Sequence, residues 1–126
     1  MTTAINNPVG WFEIPVLNME QSKNFYQQVF QLELTMMEMA QDLMAVFPFE
    51  HEQSGCGGAL VLGPDAKPSV TGTTIYFQTA DVAPVLKRVA SAGGEVVLPK
   101  TAIGEHGFIG MFLDPAGNKL GVHSMM

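Results

Sequence analysis

Hydrophobic positions gather into short runs separated by turn residues, and two of the runs carry helical periodicity. Val9 to Val16 lies between Asn6-Asn7-Pro8 and Asn18 and predicts a strand. Asn18 is placed to cap a helix, with Gln21 three residues on as its capping-box partner. Ser22, Phe25, Tyr26, Val29 and Phe30 then share one helical face, with Lys23, Asn24, Gln27 and Gln28 on the other. That is the pattern of an amphipathic helix of about three turns lying on a sheet. Leu32 to Met39 and Leu43 to Phe49 predict a hairpin across Ala40-Gln41-Asp42, and Gly57 to Leu62 a further strand.

Gly63 to Ser69 holds two prolines and no apolar pattern, and reads as a connector. The order then starts again. Thr73 to Thr79 predicts a strand, Asp81 a helix cap, and Val82, Val85, Leu86, Val89 and Ala90 an apolar helical stripe. Pro84 falls in the first turn, where backbone donors lack helical partners, and Gly93-Gly94 ends the helix. Glu95 to Leu98, Gly107 to Leu113 and Lys119 to His123 predict strands, the last two joined by the turn Asp114-Pro115-Ala116-Gly117-Asn118. Asn18 and Asp81 stand 63 positions apart, and that offset lays Trp11–Val16 over Thr74–Thr79 and Tyr26 over Val89. Phe25 over Arg88 breaks the match. The chain thus reads as two copies of strand–helix–strand–strand–strand. The expected class is α+β: two βαβββ modules, about 8–63 and 72–126 with a linker at 64–71, forming a curved mixed sheet around a cleft within one domain.

Composition supports a folded core, since 47% of the 126 residues are hydrophobic and 14% are charged. Twelve acids against six bases give a net charge of −6 with no basic run, so nucleic acid is not an expected partner. The single cysteine, Cys56, forms no intrachain disulfide and fits a reducing cytoplasm. No basic-then-apolar leader opens the sequence, and no apolar run nears the roughly 20 residues of a membrane span, so the expectation is a cytoplasmic protein without a membrane partner. Nine methionines, four of them at Met36, Met37, Met39 and Met44, serve either as core filling or as an adaptable binding surface.

The duplicated module resembles the vicinal oxygen chelate superfamily, the group of glyoxalases, bleomycin resistance proteins and extradiol dioxygenases. The resemblance covers nearly the whole chain. It rests on Ile14-Pro15-Val16-Leu17-Asn18-Met19 leading through Ser22 to Phe25-Tyr26, and on the closing Asp114-Pro115-Ala116-Gly117-Asn118. Metal-dependent members place one ligand, typically His or Glu, on each of four inward strands. Carried onto this sequence, those positions fall at Trp11, Thr74, Gly121 and either Gly58 or Ala59. None supplies the imidazole or carboxylate that a divalent ion needs. The resemblance therefore implies a glyoxalase-like cleft without metal or other cofactor. A rearranged or weak divalent site, serving a lyase or isomerase of the glyoxalase type, is the alternative, and a fold acting only through protein contacts is a third reading.

Strand alternation selects the residues that share the faces of those positions. Glu13 shares the face of Trp11, Tyr76 and Gln78 that of Thr74, and His123 that of Gly121. Glu13, Tyr76 and His123 are the candidate acid–base groups. Glu13 and His123 alternatively form a buried pair that only ties strands together. Trp11, the single tryptophan, offers either a stacking wall or core filling. Thr74 and Gln78 are candidate ligand contacts, as is His106, which follows Glu105 in a loop able to act as a lid or to remain plain surface. The expected function is binding of a small planar or apolar molecule. Open sheet edges and a mean hydropathy of +0.19 lead us to expect a homodimer.

Overall fold

The computed structural model describes residues 7–126, so Asn6 of the first turn signal lies outside the described residues. Two sheets of four strands each form, with a helix after the first strand of each. The first module comprises β1 (Trp11–Pro15), α1 (Met19–Phe30), β2 (Thr35–Met39), β3 (Asp42–Val46) and β4 (Gly57–Leu62), in the spatial order β1-β4-β3-β2. The second comprises β5 (Tyr76–Gln78), α2 (Val82–Ser91), β6 (Glu95–Ala102), β7 (Phe108–Leu113) and β8 (Lys119–Ser124), in the order β5-β8-β7-β6. In each sheet the first strand runs parallel to the last and the remaining pairs are antiparallel. The duplicated βαβββ order read from the sequence is the order observed.

Local chemistry fixes the helix ends. The Asn18 side chain accepts from the Gln21 amide at 3.0 Å, and the Asp81 side chain accepts from the Ala83 amide at 3.0 Å. Gln31 closes α1 in a left-handed conformation with φ 54°, and Gly93, with φ 105°, follows α2.

Several strand boundaries differ from the sequence expectation. β1 begins at Trp11 rather than Val9, opposite the start of its partner at Gly57. β2 begins at Thr35 rather than Leu32, because the Leu34 amide donates to the Gln27 side chain. β3 ends at Val46 rather than Phe49, and its hairpin turn is only Ala40-Gln41, with Ala40 at φ 55°. β5 keeps three residues of the expected Thr73–Thr79, because β8 offers it a register only from Gly121 to His123. β6 extends through Pro99 to Ala102, where the expected strand stopped at Leu98. It is an edge strand, so proline costs no central ladder bond, and the register shifts there twice.

Both modules bury their apolar faces in a single core that includes Ile14, Tyr26 and Val29 from the first and Val85, Phe112 and Val122 from the second. Phe77 joins them, 4.4 Å from Phe30 and 5.9 Å from Phe12 between ring centroids. The Phe25–Arg88 mismatch has a physical account. Arg88 donates from Nε to the Val29 carbonyl at 2.8 Å, satisfying a group in the last turn of α1, while Phe25 lies buried 5.9 Å from Phe112. The modules are also bound by polar groups. Tyr26 donates to Asp114 at 2.7 Å, and Asn118 donates both to Asp114 and to the Pro15 carbonyl, the latter at 2.7 Å.

Candidate functional site

β1 and β5 are edge strands of their sheets, and the seam between the modules runs past both. Phe12 and Phe77 touch on the core side of this seam. A groove of about 590 Å³ runs between β1 and the Thr73–Tyr76 stretch, with the linker along its rim and Lys119 of β8 at one wall. A concavity of this size, largely apolar with a few polar groups, matches a small-molecule site.

Alternation along β1 sends Phe12 and Ile14 to the core and leaves Trp11 and Glu13 more exposed on the other face. Trp11 is 40% exposed and meets Phe49 edge-on at 5.8 Å. Its indole Nε1 donates to Glu13 Oε2 at 3.2 Å, which orients both side chains. Tyr76 is 47% exposed, and its ring lies across Gly121, where any Cβ would collide with it. Glycine at 121 is what admits the phenol ring in this position.

The sequence-selected residues fall into two groups. Trp11, Glu13, Thr74 and Tyr76 line the groove. Gln78, His106 and His123 instead form a hydrogen-bonded set on the second sheet. His123 Nε2 lies 2.6 Å from the His106 carbonyl, and Nδ1 lies 3.2 Å from Gln78 Oε1. Since a carbonyl only accepts, Nε2 carries a proton and donates to it. The envisaged Glu13–His123 pair does not form, since Glu13 bonds Trp11 and both ring nitrogens of His123 are engaged on its own module. His106 enters the network through its backbone, at the end of a single 3₁₀ turn spanning Gly104–His106.

Strand register resolves the position left open between Gly58 and Ala59. Ala59 stands opposite Glu13 as Gly121 stands opposite Tyr76, whereas Gly58 faces the core against Phe12. The four positions at issue therefore carry an indole, a hydroxyl, a methyl and a hydrogen, and the Tyr76 ring covers the last. That donor set does not fit a divalent ion. Among the described residues no three His, Cys, Asp or Glu side chains gather to hold one.

Sequence reasoning missed Lys67, Ser69 and Lys119, all of which line the groove. Lys119 was within reach, since the alternation linking Gly121 and His123 also includes position 119. Lys67 and Ser69 lie in a connector without periodicity, and their place depends on the bond from the Ser69 amide to Asn118 Oδ1 at 3.1 Å.

This architecture defines a paired-βαβββ protein with a groove between its modules. The sequence profile of the glyoxalase/bleomycin resistance protein/dioxygenase superfamily matches residues 9–122, and the chain belongs to that superfamily. Among solved structures, a glyoxylase/bleomycin resistance protein/dioxygenase domain from Frankia sp. EAN1pec superposes with a TM-score of 0.72 at 17% identity, covering 97% of this chain and 100% of that one. TnmS3, an antibiotic binding protein from Streptomyces sp. CB03234, gives 0.67 at 26% identity, covering 99% of this chain and 100% of that one. The genomically encoded fosfomycin resistance protein FosX from Listeria monocytogenes gives 0.67 at 17% identity, covering 98% and 94% respectively. No curated protein matches the sequence.

Proposed function

We propose that the protein binds a small planar, largely apolar molecule in the groove between its modules, without a metal ion, and acts as a homodimer. The observation that carries this reading is the aromatic replacement of the family's ligand positions. Trp11 occupies one, and the Tyr76 ring lies over another at Gly121. Exposed faces of Trp and Tyr beside a concavity favour stacking on a flat partner, at about 0.5–1.5 kcal/mol per ring pair beyond area burial. The likeness to TnmS3, whose name describes antibiotic binding, agrees with a binding role.

Trp11 is the single indole, so its emission reports on the groove alone. Titration with planar aromatic compounds is expected to quench it, and Trp11→Phe is expected to keep the fold and shift affinity by about 1 kcal/mol. Binding that leaves the emission untouched would move the site away from the groove. Stoichiometric zinc, nickel, iron or manganese in the purified protein would overturn the metal-free reading.

A further inference from the structure

We propose that the ligand of this groove carries an anionic group beside its planar ring, held chiefly by Lys119. The inference rests on the groove being the binding site and adds the chemical class of what enters it. The chain has only six Lys and Arg side chains against twelve acids. Two of the six are committed elsewhere. Arg88 donates to the Val29 carbonyl, and Lys100 pairs with Asp81 at 3.0 Å while lying over the Phe108 ring. Two of the remaining four, Lys67 and Lys119, line this one groove, reaching it from the linker and from the start of β8. An anion approaching a protein of net charge −6 is repelled unless cations are placed locally.

Among the described residues Glu13 is the only carboxylate in the groove wall, and one of its oxygens is bonded to the Trp11 N–H. Lys67 also borders a smaller hollow of about 320 Å³ lined by Glu13, Asp42 and Asp65, acids that offset its charge. Lys119 borders the groove but not that hollow, and the Thr74 hydroxyl belongs to the same groove. Apolar groups such as Ile14 and Leu120 lie in the same wall, and they lower the local dielectric and strengthen an ammonium–anion contact. The arrangement suits an aromatic acid whose ring lies along Trp11 and Tyr76 and whose charged end reaches Lys119.

Naphthoate and its neutral amide, naphthamide, share ring and shape and differ in charge. Both are titrated against Trp11 emission and by calorimetry, using wild type and Lys119→Met. Naphthoate is expected to bind wild type about tenfold more tightly than naphthamide, because both accept from the ammonium but only the carboxylate adds a full opposite charge. Lys119→Met is expected to abolish that preference, weakening naphthoate far more than naphthamide. Equal binding of acid and amide overturns the anionic group, and a preference that survives Lys119→Met overturns Lys119 as its holder; either result leaves the planar-ligand reading standing. Failure of both probes to bind overturns both readings. Circular dichroism of the variant confirms that a lost preference is not a lost fold.

Discussion

Tyr26 is fully buried on α1, yet its hydroxyl donates to a carboxylate that belongs to the other module. Burial first, then the negative charge of Asp114 and the hydrogen bond to it, hold the phenol pKa well above its ordinary 10.0. Below pH 10 the phenol is neutral in both folded and unfolded chains, and the full stability is present. Above pH 10 only the unfolded chain releases the proton, so stability is expected to fall by about 1.4 kcal/mol per pH unit until the folded phenol ionises. Tyr26→Phe is expected to remove that slope and to cost about 1–2 kcal/mol at neutral pH, since Asp114 loses one donor but keeps those of Ala116 and Asn118. Urea midpoints of both proteins across the alkaline range separate this group from the lysines. The sequence announced Tyr26 as a core residue on a helical stripe and as part of the family resemblance, with no sign of its polar partner. The stripe itself was legible down to Ser22, a serine on an apolar face that is 1% exposed. The partner of Tyr26 lies 88 positions away, beyond the range of periodicity.

At the scale of elements, both helices and the order of all eight strands follow from local signals, because caps and apolar stripes are written within a dozen residues. Strand ends follow from pairing, and pairing is non-local. β5 is cut short by what β8 offers it, and β6 runs on past a proline because an edge tolerates one. The linker shows the same dependence. Without periodicity of its own, it is placed by Asn118, which accepts from the Ser69 amide and donates to the Pro15 carbonyl and Asp114. One buried amide thus ties β1, the last turn and one wall of the groove. Asn118→Ala is expected to cost about 2–4 kcal/mol, as buried partners lose their hydrogen bonds. Chemical denaturation checks the loss, and faster proteolysis at Lys67 in the native state checks that the linker has come loose. Asp81→Ala, which removes the cap of α2 and the Lys100 ion pair but no bond to the linker, should leave Lys67 as protected as before.

In the whole molecule, the duplicated modules share one core but leave apolar surface outside it. Every residue of edge strand β2 is exposed, including Met36, Met37 and Met39, and Leu17 and Val70 are more than half exposed. An open edge with apolar side chains invites pairing. We expect sedimentation at micromolar concentration to show a dimer, and Met37→Lys at the middle of that edge to shift the equilibrium towards the single chain if β2 lies in the interface. A wild-type protein that sediments only as a single chain would remove the homodimer. The groove was only half legible at this scale. Strand alternation selected Trp11, Glu13, Thr74 and Tyr76, since a two-residue period needs no tertiary knowledge. It set His123 in the same cleft because alternation gives a face and not a position along it, and the structure binds that ring to Gln78 and His106 instead.

The ring of Tyr76 over Gly121 also orders the mutational routes open to the chain. A carboxylate at 121 collides with the phenol where it now lies, so that substitution is expected to be damaging alone and to be relieved by a smaller residue at 76. Two changes that are each unremarkable on a sheet become coupled, with the change at 76 favoured first. A library that varies these positions one at a time would miss every variant lying beyond that first step.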